Sequence, residues 1–541
     1  MRRLALTLWI LGAAPLTGQQ VTYERLLNAD REPANWMTYS GTYRGWRYSP
    51  LDQIKRENVQ KLKLKWVYQM SAQDVGTTHQ VNATHTVETT PLVVDGIMYF
   101  SEPPSNAVAV DVKTGRPFWR YRRSLPKKIN VCCGQVNRGV AVSGDRVYIG
   151  TVDAHLVALD AKTGAVLWDV EVADYRTGHS ITVAPLAVKD MIITGISGGE
   201  YGIRGFLDAY DAATGKRKWR FWTIPGPGEP GNETWEGDSW KPGGGPTWVT
   251  GSFDPEQNLI IWGTGNPSPD WNGDVRKGDN LYSDCAIALD ADTGKLKWHF
   301  QFVPHDVHDW DATQVPVLVD EEWEGQPRKL VYWAHRNAFF YVLDRKTGKF
   351  LLGKPFAKQT WAERLDENGR PVRLPNTEPS AEGTLVWPGV QGGTNWYSPS
   401  YNPLTRLFYL SAWENVGLYR KGEAVYSPGN RYIGSVPEID LPEDPGWGAV
   451  RALNPKTGEK VWDYKLHTKP WAGVLSTAGK LVFGGSDEGY FFALDAESGK
   501  ELWRVNLGGR IRSSAITFLQ EGRQVVAIAS GSAIFTFELP D

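Results

Sequence analysis

The stretch "ALDAKTGAVLW", residues 158–168, decides the fold. An Asp followed three residues on by Thr and then Gly is turn chemistry: the carboxylate caps nearby backbone N–H groups and Gly supplies positive φ. The whole reads as a strand, a tight turn and a second strand ending in Trp. Copies recur as "AVDVKTGRPFW" from Ala109, "AYDAATGKRKW" from Ala209, "ALDADTGKLKW" from Ala288, "ALNPKTGEKVW" from Ala452 and "ALDAESGKELW" from Ala493, with a degenerate "VLDRKTGKF" from Val342. Most copies lie roughly 40 to 55 residues apart, the period of a four-stranded propeller blade. The Trp of one copy can then pack on the next.

Two intervals are longer. The one before Ala288 carries "IPGPGEPGNETWEGDSWKPGGGP", a Pro/Gly-rich insertion. The one before Ala452 is expected to hide a whole blade, because "SPSYNPLTRLFYLSA" echoes "TGSFDPEQNLIIWGT". Seven visible copies and one hidden make eight. "KLKLKWVYQM" near the N-terminus and "RQVVAIASGSAIFTFEL" near the C-terminus would share the last blade and close the ring, hiding the sheet edges. The fold class expected is therefore all-β, an eight-bladed β-propeller. An open solenoid of the same repeats is the alternative.

The bounds agree. A chain of 541 residues with 25 Trp and 57 Gly has room for a repeat array rich in turns and large planar side chains. A formal charge of −2 and 22% charged residues give no hint of nucleic acid or an anionic membrane surface. "MRRLALTLWILGAAPLTGQQ" has a basic start, an apolar core and small residues near Gly18, the pattern of a secretory signal. Residues 1–19 are read as that signal and 20–541 as a single propeller domain. No lipobox cysteine and no later apolar run of spanning length occur, so no stable membrane anchor is expected. The mature protein is expected in the periplasm, where a disulfide can persist.

Repeat phase works as a ruler for the central channel. Just ahead of the innermost strand of successive repeats stand Glu88, Arg138, Thr182, Trp248, the pair Asp309 and Asp311, then Asn395 with Trp396, and Trp471. A second ring, after the following strand, holds Glu200, Asn266 and Arg336. Acids, an amide, guanidinia and indoles thus converge at one mouth, where water or a ligand must satisfy them. Glu200, Asn266, Asp309 and Asp311 offer three carboxylates and an amide carbonyl, a set for a hard cation such as calcium or a trivalent lanthanide. Zinc through His305 and His308 fits poorly, since zinc does not want so many oxygens. Strand alternation in Asp309-Trp310-Asp311 would point both carboxylates the same way, and two such charges call for a cation between them.

Four further marks, "VCCGQVNRG" (131–139), "SGGEYGIRG" (197–205), "GTGNPSP" (263–269) and "HDVHDWD" (305–311), complete a resemblance across essentially the whole mature chain. The sequence resembles the quinoprotein alcohol dehydrogenases of the methanol/ethanol type, which use pyrroloquinoline quinone (PQQ), and its repeat is similar to their tryptophan docking motif. The resemblance implies a disulfide between Cys132 and Cys133 lying on one face of the cofactor, with Trp248 stacked on the other. It implies that Glu88, Arg138, Thr182, Ser197, Gly198, Gly199, Asn395, Trp396 and Trp471 surround the cofactor, Arg138 pairing with one of its carboxylates. Glu200, Asn266 and Asp309 match metal ligands, and Arg336 the residue beside the reactive quinone oxygen. Asp311 stands where the lanthanide-dependent members carry a second Asp, so one lanthanide(III) ion is expected, with calcium as the alternative. Pro246 replaces a threonine of many relatives, which puts one cofactor hydrogen bond in doubt. Cys285 is left as a core residue.

The mechanism implied has the metal activating the quinone, Arg336 stabilising the developing oxyanion, Asp309 as general base and hydride transfer turning a primary alcohol into an aldehyde. No Cys-x-x-Cys-His occurs, so electrons are expected to leave to a separate periplasmic c-type cytochrome. A sugar or polyol dehydrogenase on the same fold is an alternative, since the loops 224–245 and 424–445 could reshape the pocket. A non-catalytic propeller scaffold is another, although such scaffolds lack the channel-mouth acids and paired cysteines. A homodimer is left open.

Overall fold

In a computed structural model the chain is described over residues 20–70, 87–435, 441 and 444–540. The expected export signal and part of the 424–445 loop lie outside these residues. Eight blade sheets follow one another along the chain, seven of four antiparallel strands and one, over residues 475–506, that gains a fifth, parallel strand from Tyr48–Ser49. The first has strands Leu92–Val94, Ile97–Glu102, Asn106–Asp111 and Pro117–Tyr121, laid out in sequence order. Its first strand is wholly buried and its fourth is largely open, so the sheet runs from the channel outward to the rim. Blades 2 to 7 span residues 141–171, 186–222, 252–301, 317–355, 400–466 and 475–506. Blade 8 joins Ile516–Gln520, Arg523–Ser530 and Ala533–Glu538 to Lys63–Gln69, which closes the ring with no free sheet edge between the termini.

The eight blades stand, but one step of the count does not. The interval before Ala452 hides no extra blade: "SPSYNPLTRLFYLSA" forms the first two strands of blade 6, whose outer strands are the Ala452 copy itself. The remaining length is an insertion with two small two-stranded sheets, Ala362–Leu365 with Pro371–Arg373 and Thr384–Val386 with Gly417–Tyr419. The echo was real because both stretches are first-and-second strands; the eighth blade is the one shared by the termini.

The repeat explains the rim. In "ALDAKTGAVLW" Asp160 Oδ1 accepts from the Thr163 N–H and hydroxyl at 2.8 Å each, and the Gly164 N–H donates to the Asp160 carbonyl at 2.8 Å. Gly164 has φ +71°, and a Cβ there would sit 2.6 Å from the Trp119 ring of the preceding blade. Trp119 Nε1 in turn donates to the Ala161 carbonyl at 2.9 Å. Trp168, Trp219, Trp298 and Trp462 repeat the contact, donating to the carbonyls of Ala212, Ala291, Arg345 and Ala496 of the next blade, and Trp66 of blade 8 does so with Val112 of blade 1. The degenerate copy breaks the chain, since Leu352 stands in place of Trp.

One element was not foreseen. Residues 36–49 cross the channel end away from the mouth. Trp36 pairs with Val93 of blade 1; Tyr43 bonds Ala187 and Phe253; Arg44, Trp46 and Arg47 accept from Leu318, Tyr401 and Ser476. Buried Arg47 donates to the carbonyls of Ala515 and Tyr39 and to the Thr90 hydroxyl. The channel is thereby closed below, and the open mouth is left as the place for a ligand.

Candidate functional site

The turns ahead of the innermost strands bring the charged side chains together around a cavity of about 330 Å³ at the mouth, within the range of small-molecule sites. Its walls include Glu88, Cys132, Cys133, Arg138, Thr182, Ser197, Gly198, Glu200, Trp248, Asp309, Asp311, Arg336, Asn395, Trp396 and Trp471, fifteen of the residues singled out from sequence. Two others stand behind the wall. Gly199 is buried, and a Cβ on it would lie 3.1 Å from both Asn266 Oδ1 and Pro246. Asn266 is also buried, its Nδ2 donating to Asp270 Oδ1 at 2.9 Å, which leaves Oδ1 as the acceptor facing Gly199. Gly198 needs its glycine, with φ +127° and a would-be Cβ 2.3 Å from the Gly178 carbonyl.

Cys132 and Cys133 are joined as a disulfide, Cα–Cα 3.8 Å, and Glu200 Oε1 lies 2.8 Å from Cys132 Sγ. With both sulfurs spent in that bond, the two cysteines offer no thiolate to a metal. Arg138 is committed on several sides. It pairs with Glu88 at 2.8 Å, donates to the Thr182 hydroxyl at 3.1 Å, and lies 4.7 Å from the centres of both the Trp248 and Trp396 rings. Thr182 and Ser197 share a hydroxyl hydrogen bond of 2.8 Å. Burial raises Glu88 above the usual carboxylate range, opposed by Arg138 and Arg512.

The acidic side of the cavity is built on Arg336. Its Nη1 donates to Asp311 Oδ2 at 2.6 Å, and Nη2 reaches Asp309 Oδ2 at 3.4 Å and the Val390 carbonyl. Asp311 also accepts from the Asn266 backbone N–H at 2.7 Å and from Trp248 Nε1 at 3.2 Å. Burial raises both Asp309 and Asp311, with Arg336 opposing. Glu200 is pushed up to about 7, by burial first and with Asp311 adding to it. Arg336, drawn down by burial, is held firmly charged by Asp309 and Asp311. Buried carboxylates that raise one another in this way are the electrostatic demand for a cation. Three carboxylates with a free amide oxygen fit a hard one.

The segment carrying these acids corrects one expectation. Residues 303–316 are not strand, so alternation does not aim Asp309 and Asp311. Asp309 instead adopts a left-handed φ of +60°. Asp306 ties the loop, accepting from the N–H groups of His308 at 3.0 Å and Trp310 at 2.9 Å. Trp310 is fully buried, stacked on His308 at 4.2 Å. His308 bonds the Thr377 carbonyl and His305 the Gly278 carbonyl, and neither lines the cavity.

Sequence reasoning missed Arg512, Gln391, Val136 and the buried Asp270. Arg512 was findable: it stands four residues before Ile516, as Glu88 stands four before Leu92 and Trp471 four before Leu475. Gln391, whose Oε1 accepts from Asn395 Nδ2 at 3.1 Å, comes from a loop outside that phase. The loop 224–245 supplies no wall residue, and neither do the described residues of 424–445. Within the latter, Tyr432 N–H donates to the Glu200 carbonyl at 2.7 Å, so it backs the metal side from outside. Pro246 does line the cavity.

Comparison with known proteins follows this geometry. The family model described as glucose/ethanol/alcohol dehydrogenase, beta-propeller domain (PQQ) matches residues 36–354, and that of the outer membrane protein assembly factor BamB matches residues 447–540. The quinoprotein alcohol dehydrogenase PedH of Pseudomonas putida is 38% identical, over 96% of this chain and 91% of its own. The chain belongs to the PQQ-dependent quinoprotein alcohol dehydrogenase family. Quinohemoprotein alcohol dehydrogenase ADH IIB of Pseudomonas putida is 42% identical to this quinoprotein, over 92% of the chain and 73% of that relative. Among solved structures a europium-containing methanol dehydrogenase superposes with a TM-score of 0.88 at 32% identity, covering 95% of this quinoprotein and 100% of that chain. No helix among the described residues is long and apolar enough to cross a membrane.

Proposed function

We propose that this quinoprotein is a periplasmic PQQ-dependent dehydrogenase that oxidises primary alcohols to aldehydes. The observation that carries the reading is the meeting in one cavity of a vicinal disulfide, the Trp248 indole and the Arg336–Asp309–Asp311 cluster. The disulfide and Trp248 are the surfaces that would hold the planar cofactor between them, with Glu88, Arg138, Thr182, Ser197, Gly198, Asn395, Trp396 and Trp471 around its edge and Gly199 behind. Glu200, Asn266, Asp309 and Asp311 would hold one lanthanide(III) ion, the extra carboxylate of Asp311 favouring the trivalent charge over calcium. When bound, the quinone supplies an electrophilic carbon that accepts hydride, and the cation supplies Lewis acidity.

The protein residues do the rest. Asp309 Oδ2 is held by Arg336, while Oδ1 accepts no hydrogen bond from a described residue and is the atom that takes the alcohol proton. Arg336 Nε is buried without a partner and is the donor available to a developing oxyanion. Val136, Trp396 and Trp471 give the cavity apolar walls for a small or medium alcohol. We assign a soluble c-type cytochrome as electron acceptor.

The test is reconstitution. The purified protein is given PQQ with either a light lanthanide or calcium, and ethanol-dependent dye reduction is measured. Activity with the lanthanide alone is expected. Activity with calcium alone would keep the enzyme and discard the role of Asp311. No activity and no cofactor absorbance with either metal would return the chain to a scaffold.

A further inference from the structure

Three guanidinia line the cavity, and in two of them the terminal nitrogens are engaged. Arg138 is tied to Glu88 and Thr182, and Arg336 to Asp309, Asp311 and the Val390 carbonyl. The third, Arg512, differs. Its Nε donates to Asp487 Oδ1 at 3.1 Å, and its guanidinium lies 4.5 Å from the centre of the Trp471 ring, a wall residue. Its side chain is only 16% exposed. Its two terminal nitrogens donate no hydrogen bond to any described residue, and Glu88 feels its charge across the cavity. Arg510, 3.5 Å from the same aspartate, is 63% exposed and does not line the cavity.

A guanidinium gripped along its Nε edge and stacked on an indole is fixed in plane, with the Nη pair left over. That pair is the fork that meets a carboxylate in two parallel hydrogen bonds, and ordering it beforehand removes part of the entropic cost of binding. We propose that Arg512 anchors a carboxylate of the bound quinone cofactor, with Asp487 as its positioning residue. The proposal rests on the PQQ reading above and revises which arginine has a free fork to offer: Arg138, the residue first favoured, is largely consumed by Glu88.

The experiment is titration of the purified, metal-supplemented protein with PQQ and with its trimethyl ester, followed by quenching of tryptophan fluorescence. Arg512→Ala is expected to weaken PQQ binding about tenfold or more, the scale of a charged hydrogen bond, and to leave ester binding unchanged. Arg512→Lys, which keeps charge without the fork, should fall between and serves if the alanine variant misfolds by circular dichroism. Asp487→Asn should weaken PQQ binding by a smaller factor, and by none in an Arg512→Ala background. Equal PQQ affinity in the wild type and both Arg512 variants would overturn the proposal while leaving the PQQ reading intact. Parallel loss of ester binding would overturn it too, by showing a shape effect. A wild-type protein that binds neither compound would instead remove the PQQ reading, and the proposal with it.

Discussion

The rim and the mouth of the channel are built from the same eight repeats, yet they read oppositely. At the rim, blade after blade repeats one device: an Asp-capped turn, a Gly at positive φ and a Trp from the neighbouring blade closing over it. At the mouth, the position four residues before the innermost strand varies, holding Glu88, Thr182, Arg512 and, in three blades, the tryptophans Trp248, Trp396 and Trp471. The rim meets the next copy of itself, so one solution serves most blades. The mouth faces the cavity and not another blade, so its groups can differ among blades. Repetition therefore marks structure here, and its failure marks the site.

This contrast can be broken from either side. The largest effect is expected at the mouth: Asp309→Ala should lower turnover by roughly 10²–10⁴-fold, the range for loss of a positioned base, with an unchanged melting temperature. Retained activity would refute the assignment. Next, Asp311→Ala should abolish lanthanide-supported activity while any calcium-supported activity survives, read by metal titration of the purified variant. At the rim the effects invert. Trp219→Ala removes a buried indole that bonds the Ala291 carbonyl at 3.0 Å. It should cost about 3 kcal/mol of stability and leave the activity of the folded fraction intact; a loss of turnover without a loss of stability would erase the distinction.

A smaller effect is expected at His179, which stacks on Phe206 and lines neither region. Burial, with Arg220 nearby, holds His179 down at about 4. The unfolded chain titrates near 6.5 and so binds the extra proton first. This contribution is full above about pH 6.5 and is lost as pH falls toward 4. His179→Gln should flatten the stability profile in that window, measured by denaturant titration at several pH values. Smallest of all, the exposed Lys113–Glu521 pair at 2.5 Å should be dispensable: Lys113→Ala is expected to leave both melting temperature and turnover unmoved.

Much of this was legible because local rules suffice. The Asp-Thr-Gly turn needs only five residues, and its spacing sets the blades. The ruler then found most of the cavity wall. It misjudged the interval before Ala452, where an insertion imitates the length of a blade. It also put Asp309 and Asp311 on a strand, although their shared aim comes from Asp306 and a left-handed Asp309. Arg512 lay on the ruler and was passed over because blade 8 lacks the turn that marks the others. Gln391, Asp270 and the plug of residues 36–49 carry no periodic signal.

By itself, then, the order of residues determined the repeat, the ring and the kinds of group that gather at its mouth, since turn chemistry and strand phase act over a few neighbours. Only the closed tertiary structure decided which of those groups are spent on one another. Arg138 is taken by Glu88, Arg336 by two aspartates, and the terminal nitrogens of Arg512 by no described residue. Such pairings join residues 25 to 50 positions apart. They depend on distances of a few ångströms in a buried, low-dielectric space, which no local pattern encodes.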